Sequence, residues 1–256
     1  MPTSPRASMG PRRRRLLATA LALLAAVLSV PLGVVVATPA AAWDMTSPFA
    51  REVVRPGAVD RDVYNIEHVH EVQIRLRRLG LLRAAPDGVF GPRTERAVRT
   101  FQRRNGLRVT GTVNYRTWRP LIRKSLRGRK KVPAVCTSPG WHVCYDRTWY
   151  QASLYRDGKI HNSWLVRGGA ADEKTRVGSF TVYRRSEHHV SNLYNAPMPY
   201  SQFFSGGQAL HGSRAMMNPL EGHSHGCVNF WVEDARQLWR LTHDKHLRVH
   251  VYGAWR

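Results

Sequence analysis

Apolar residues recur every three or four positions within residues 65–122, whereas they alternate with polar residues over much of 133–256. The first period buries one face of a helix, and the second buries one face of a strand. Helical faces around Val72, Val98 and Trp118 predict three short helices. We therefore expect an α+β protein, with a small N-terminal three-helix domain before a β-rich, sandwich-like domain.

The alternating pattern also predicts individual strands. Stretches at 149–155 and 159–167 flank Asp157-Gly158, a dipeptide typical of a tight hairpin turn. Residues 247–251 alternate in the same way and predict a closing strand, with a short helix just before it. A mainly antiparallel sheet structure follows from this arrangement.

The chain divides into five expected segments. The first combines a basic run, an apolar stretch from Leu16 to Ala37 and a small-residue cleavage pattern before Trp43, which together indicate an export signal. Without cleavage, the apolar stretch is long enough to anchor the chain in a membrane. The expected boundaries are an export signal at 1–42, a linker or extended arm at 43–64, a helical domain at 65–122, a basic linker at 123–132 and a β-rich domain at 133–256.

Charge narrows the choice of partners. The formal net charge is +23, and loss of the five arginines within residues 1–42 leaves +18. Such a large excess of positive charge is typical of proteins that bind polyanions. Because the chain is expected to be exported and lacks interleaved aromatic and basic residues, we expect anionic wall polymers and carboxylates as partners rather than nucleic acid. The expected location is the cell envelope, the cell wall or the extracellular space.

The chain contains three cysteines. Cys136 and Cys144 flank Ser138-Pro139-Gly140, a turn signal that folds the segment back on itself. We predict a disulfide between these two, which an oxidising compartment would preserve, and a free Cys227. The alternative is that both remain unpaired thiols.

The richest chemistry lies at residues 223–229, which read His-Ser-His-Gly-Cys-Val-Asn. A cysteine in this setting predicts a nucleophile, Cys227, and its thiol needs a base. The residues leave His211 and His225 both open for that role. Gly226 would let a substrate approach the sulfur, with backbone N–H groups beside it for a developing oxyanion.

Two further residues of this motif are expected to orient the site. Ser224 and Asn229 carry hydrogen-bonding groups but are weaker nucleophiles than a thiol, so we assign them to orientation and oxyanion support together with Gly226.

The Ser-His-Gly-Cys-Val-Asn motif behind His211-Gly212 resembles the active-site motif of the L,D-transpeptidase catalytic domain (YkuD type). Enzymes of this family use a cysteine to cross-link peptidoglycan stem peptides. The resemblance implies a Cys227 thioester that passes to an amine, forming a cross-link, or to water, giving L,D-carboxypeptidase activity. It implies no cofactor and no metal. It assigns the general base to His211 and substrate contacts to Met198, Tyr200 and Gly212.

A second resemblance concerns the helical domain. The stretch Asp87-Gly88-Val89-Phe90-Gly91-Pro92, followed by Phe101-Gln102 and Thr117-Trp118, is similar to the peptidoglycan-binding three-helix domain found beside many wall enzymes. The resemblance implies wall binding. The alternative is a helical spacer that binds nothing.

Two other functions remain open at this point. His142 and Asp146, combined with His223 and His225, have the ligand types of a zinc-dependent wall endopeptidase, although that hypothesis leaves Cys227 unexplained. A non-catalytic wall-binding protein is the third hypothesis.

Overall fold

The structure is a computed structural model that describes residues 44–128 and 132–255. The expected export signal at 1–42 lies outside the described residues, as does part of the basic linker. None of the helices in the described ranges is long and apolar enough to span a membrane.

Three helices form the N-terminal domain: α1 (Val69–Arg78), α2 (Pro92–Arg104) and α3 (Tyr115–Ser125). Helix α2 begins with a proline, whose fixed φ and missing N–H suit the first helical turn. The Asn114 side chain caps α3 by accepting a hydrogen bond from the Thr117 N–H at 3.2 Å. The inward faces of the three helices share one apolar core, whose largest fully buried side chains are Leu76, Phe90, Phe101, Trp118, Leu121 and Ile122.

The segment expected to be a linker or arm, 43–64, is an arm packed onto this core where the structure describes it. Phe49 and Val54 are buried among the helices, and Val54 exchanges backbone hydrogen bonds with Val113. The Trp118 indole N–H donates to the carbonyl of Glu52 at 2.8 Å. The sequence showed no period here because the arm adopts turns and isolated bridges rather than a regular element.

Residues 132–255 contain nine strands in two sheets, with helix α4 (Val232–Thr242) between the last two strands. The strands are β1 (Trp141–Asp146), β2 (Gln151–Arg156), β3 (Lys159–Leu165), β4 (Gly178–Thr181), β5 (Arg184–Val190), β6 (Pro197–Ser205), β7 (Gln208–Gly212), β8 (Val228–Phe230) and β9 (Leu247–Tyr252). The strand orders are β3-β2-β1-β9-β4 and β5-β6-β7-β8. The pairs β1/β9 and β7/β8 are parallel, and the other pairs are antiparallel. The predicted α+β class is confirmed.

Side chains from both sheets and from α4 form the core of this domain. Trp164 of β3 and Phe230 of β8 meet edge to face with ring centroids 5.9 Å apart. Val249 of β9 and Leu238 of α4 belong to the same buried cluster. Strand β8, which directly follows the motif cysteine, is therefore held on its inner side by the central core.

A buried ionic network connects the helical domain with the β-rich domain. Arg51 Nε lies 2.9 Å from a carboxylate oxygen of Glu71 in α1 and 3.4 Å from one of Asp234 in α4. Arg75 binds Glu71 at 2.6 Å and donates to the carbonyl of Ser163 in β3 at 2.9 Å. Because an unpaired charge in the interior is costly, these ion pairs are expected to keep the two domains together.

Candidate active site

The motif cysteine opens onto a cavity of about 650 Å³. Its floor is the parallel pair β7/β8, and the tip of the β5–β6 hairpin and the loop at 213–225 form its walls. The cavity brings together the nucleophile candidate, three histidines and two of the residues expected to orient the site. They are His211, His223, Ser224, His225, Cys227 and Asn229.

Cys227 is the residue immediately before β8 and is partly buried. The backbone N–H of Ala209 in β7 donates to its sulfur at 3.4 Å. Burial raises the pKa of the thiol, and the Ala209 N–H opposes this shift only in part. The resting side chain is therefore a neutral thiol at physiological pH.

A tight turn over residues 224–226 places the cysteine. The Ser224 hydroxyl donates to the Cys227 carbonyl at 2.6 Å and accepts from the Gly226 N–H at 3.1 Å. Gly226 has φ of +103°, and a Cβ there would lie 2.5 Å from the Gln208 amide nitrogen. Only glycine fits this combination of backbone conformation and close approach.

The same turn engages the Gly226 N–H, which donates to the Ser224 hydroxyl oxygen. Oxyanion support from the backbone N–H groups beside Gly226 stays a prediction. Gly226 therefore supports the turn. Its orienting role stands as a proposal, together with that of Ser224.

His211 occupies the adjacent strand, β7, and is buried. Its Nδ1 lies 2.8 Å from the Gly212 carbonyl, which can only accept, so Nδ1 carries the proton and Nε2 is left as a proton acceptor. Burial lowers the pKa of His211 to about 4. The imidazole is consequently neutral at physiological pH.

Strand register places the histidine and the cysteine on one face. His211 pairs with Asn229 in the parallel β7/β8 ladder. Residues two apart in a strand share a face, so Cys227 and Asn229 point to the same side, and His211 lies beside them. All three line the cavity.

His225 has a different environment. Its side chain is 58% exposed, and its ring stacks on Tyr194 with centroids 4.0 Å apart. Its Nε2 lies 3.9 Å from one carboxylate oxygen of Glu173, and the other oxygen accepts a hydrogen bond from the Tyr194 hydroxyl at 3.1 Å. His225 thus takes part in a rim cluster that closes one side of the cavity.

The three residues expected to contact substrate lie in three different environments. Met198 lines the cavity. Tyr200 does not: its ring packs beside Trp239 of α4, with centroids 6.2 Å apart. The reason is its left-handed backbone, φ of 60°, which breaks the alternation that would have placed it on the same face as Met198. Gly212 packs against α4, where a Cβ would lie 3.1 Å from Val232, and acts through its carbonyl on His211.

Several cavity residues were missed by sequence reasoning. Arg167, Arg176 and Tyr194 line the cavity but belong to none of the motifs assigned to the site. Arg167 was expected to end the strand at 159–167, whereas β3 ends at Leu165. His223, which had no assigned role in the cysteine site, also lines the cavity and packs near Trp255, with centroids 5.6 Å apart. The sequence signal available for Arg167 was its position at the end of the predicted strand at 159–167.

The cysteine pair outside the site is bridged. Cys136 and Cys144 form a disulfide in the structure, which leaves Cys227 as the free cysteine among the described residues.

The zinc hypothesis is not supported by the geometry. His142 hydrogen-bonds His250 at 3.0 Å, and the Asp146 carboxylate accepts from the Thr148 N–H at 3.0 Å, so neither reaches the cavity that His223 lines. Within residues 44–128 and 132–255, the group of three side chains close enough to share a metal is a different one. It consists of His68, Glu71 and Asp234, the carboxylates of which already face Arg51.

Known proteins share both parts of this architecture. Residues 65–121 match the family model of a putative peptidoglycan binding domain, and residues 141–251 match that of the L,D-transpeptidase catalytic domain. A spore cortex-lytic enzyme of Oceanobacillus iheyensis is 36% identical over 80 residues, which make up 31% of this chain and 27% of the relative. The chain therefore spans about a quarter of the length of the curated relative it matches.

Solved structures are similar over most of the chain. An L,D-transpeptidase from Stackebrandtia nassauensis is 25% identical, with 82% of this chain and 98% of that chain covered, at a TM-score of 0.50. An L,D-transpeptidase from Xylanimonas cellulosilytica is 26% identical, with 79% and 98% covered, at a TM-score of 0.47. Residues 141–251 therefore belong to the L,D-transpeptidase catalytic domain family, and they follow residues 65–121, which match a putative peptidoglycan-binding domain.

Proposed function

We propose that Cys227 is acylated by a peptidoglycan stem peptide and passes the acyl group to an amine of a second stem. The observation that carries this proposal is that Cys227 and His211 lie on neighbouring strands and face one cavity, with the His211 Nε2 left as a proton acceptor. A thiol and a positioned base are the minimum for acyl transfer through a thioester.

The reaction begins with the neutral pair. As the sulfur attacks the carbonyl carbon of the amide that follows an L-configured residue, the thiol proton passes to His211 Nε2. The amide C–N bond then breaks, and His211 returns the proton to the departing amine of the D-amino acid. A thioester on Cys227 remains.

The second half repeats this chemistry in the opposite direction. An amine of a second stem attacks the thioester, and His211 takes its proton. The C–S bond breaks, a new amide forms, and the sulfur recovers a proton from His211. Water in place of the amine releases a shortened stem peptide, which is the L,D-carboxypeptidase outcome.

The environments of the two histidines support His211 as the base. The His211 ring is fixed by its hydrogen bond to Gly212, whereas His225 is largely exposed and engaged with Tyr194 and Glu173. A base must be held in one tautomer near the proton it removes. We assign His225 to the cavity rim.

The helical domain is proposed to hold the enzyme on the wall. A cleft of about 590 Å³ on its surface is lined by Arg83, Arg93 and Arg96 around an apolar floor. Three guanidinium groups favour carboxylates or phosphates, so we propose anionic wall polymers as its ligand. Charge-reversing substitution of two of these arginines should reduce sedimentation with purified wall and leave turnover of soluble stem peptides unchanged.

The peptidoglycan-related domains support a cell-wall or extracellular location. We propose that the segment at 1–42 is the export signal and is removed after Ala42. N-terminal sequencing of the secreted protein tests this proposal.

Mass spectrometry of products tests the central proposal. The protein is incubated with purified disaccharide-tetrapeptide; dimers demonstrate transpeptidation, and tripeptide alone demonstrates carboxypeptidase activity. Cys227→Ala should form neither product, and a metal chelator should change nothing. Full activity of Cys227→Ala, or no product from the wild type, would overturn the proposal.

A further inference from the structure

Among the residues that the structure describes, no carboxylate pairs with the buried cation Arg167. Arg167 is 7% exposed. Its Nη1 donates to the carbonyl of Glu221 and its Nη2 to that of Ala215, each at 3.0 Å. The Nε is buried and has no hydrogen-bond partner in the described part of the chain. Desolvation lowers the pKa of this guanidinium, and no acid in the described ranges opposes the shift.

The other deeply buried arginines are different. Arg51 and Arg75 both face the carboxylate of Glu71, which offsets the cost of taking their charges out of water. Arg167 makes no such pair among residues 44–128 and 132–255. Carbonyl oxygens satisfy two of its donors but supply no compensating charge.

The position of Arg167 is fixed by β8, the strand that follows Cys227. Its backbone exchanges hydrogen bonds of 3.0 and 2.8 Å with Asn229, which lies two residues after Cys227. Directly paired residues of an antiparallel bridge project to the same side, so the side chain of Arg167 lies on the face shared by Asn229 and His211. The cavity lining includes all of these residues.

Positive charge prevails in the lining of the cavity. Its described lining residues include Arg167, Arg176 and Arg214 but neither aspartate nor glutamate, and the rim carboxylate of Glu173 is engaged with His225 and the Tyr194 hydroxyl. A ligand that brings a carboxylate would meet an excess of positive charge, and the most desolvated of these charges would interact most strongly.

We propose that Arg167 forms a carboxylate subsite of the catalytic cavity and selects stem peptides that carry an anionic group near the reacting amide. The proposal rests on the proposed function in one respect, the identity of the ligand as a stem peptide. Two sources offer this chemistry: the terminal carboxylate of the D-residue that leaves, and a side-chain carboxylate on the diamino acid.

A purely structural role makes a different prediction. The two carbonyl contacts of Arg167 hold the loop at 213–223 against the site. If that were its whole role, replacing Arg167 would weaken every peptide equally, whether or not the peptide carried a carboxylate.

The test measures binding without turnover, in a Cys227→Ala background. Calorimetry compares a tetrapeptide with its C-terminal amide, and a peptide containing diaminopimelate with its lysine counterpart. With Arg167 intact, we expect at least one carboxylate peptide to bind about 10- to 100-fold more tightly than its neutral counterpart. Arg167→Gln should abolish that preference and leave the affinity for the neutral peptide within about twofold.

Two further variants keep the test decisive. Arg214→Gln removes an exposed arginine of the same cavity and should retain the preference, because solvent screens that charge. Arg167→Lys keeps a charge without the fork of donors and should retain part of the preference, even where Arg167→Gln folds poorly. Equal weakening of both peptides of a pair by Arg167→Gln, or no preference in the parent protein, would overturn the proposal. Failure of the proposed function would instead show as absent turnover with wild-type Cys227.

Discussion

The Ser224 hydroxyl donates a 2.6 Å hydrogen bond to the carbonyl oxygen of Cys227, three residues further along the chain. The Ser224 hydroxyl oxygen in turn accepts from the Gly226 N–H at 3.1 Å. The Ser224 side chain thereby stabilises the turn through two hydrogen bonds, one to Gly226 and one to Cys227. The cysteine enters β8 from this turn, so the position of its sulfur depends on a serine that does not itself react.

We predict that Ser224→Ala lowers kcat by about 10- to 100-fold with little change in KM, because a small misplacement of the nucleophile is costly. Steady-state kinetics on a soluble tetrapeptide measures this effect. Ser138→Ala is the matched control, since the Ser138 hydroxyl also bonds a carbonyl three residues away, that of Val135, but lies outside the cavity. Equal losses in both variants would contradict the prediction.

His211→Ala should reduce the rate of Cys227 acylation by a factor on the order of 100 or more, because proton transfer at the sulfur loses its base. His225→Ala should cost less, since it removes only a rim contact with Tyr194. Rapid-quench mass spectrometry of the acyl-enzyme compares the two. A larger loss in His225→Ala would reverse the assignment.

The pH dependence of thiol alkylation follows from the two shifted pKa values. Burial raises the pKa of Cys227 and lowers that of His211 to about 4, so both groups are neutral at pH 7. We therefore expect slow alkylation by iodoacetamide at neutral pH, rising only as the thiol deprotonates at alkaline pH. A fast plateau between pH 5 and pH 7, on the order seen for thiolate–imidazolium pairs, would show that the resting pair is ionised.

Thiol counting checks the disulfide. The chain has three cysteines, and Cys136 and Cys144 are bridged. The denatured, oxidised protein should therefore take up one alkyl group, on Cys227, and the reduced protein three. Three groups without reduction would exclude the bridge.

Glu71→Gln should destabilise the protein by about 3–5 kcal/mol, because Arg51 and Arg75 would remain buried without their carboxylate. Glu95→Gln is the matched control, because Glu95 pairs with Arg99 four residues away in α2, at the surface. This substitution should lower the free energy of unfolding by less than about 1 kcal/mol. Urea unfolding measures both. Similar losses would show that burial of the network contributes little.

Glu71 should also make the free energy of unfolding depend on pH in the acid range. Burial alone raises the pKa of Glu71, but Arg51 and Arg75 outweigh it and lower the pKa from 4.5 to about 2. A carboxyl whose folded pKa is lowered stabilises the fold above its unfolded pKa, and this contribution is lost as pH falls from about 4.5 towards 2. Glu71→Gln should therefore flatten the stability profile in that window.

Local information in the sequence was sufficient for the class of the fold and for the motif around Cys227. Periods of three to four and of two residues report which face of an element is buried, and both depend only on neighbours along the chain. The turn residues Asp157-Gly158 and the small residue Gly226 are similarly local signals, because backbone conformation limits which residues fit.

The tertiary structure decided which residues line the cavity, because the cavity is built from residues far apart in sequence. The left-handed φ of Tyr200 turned it away from the cavity, and the parallel register of β7 and β8 set His211 beside Asn229. Arg167 became part of the site through its pairing with Asn229, more than 60 residues away. No local pattern records such a pairing, since burial and charge compensation are properties of the packed chain.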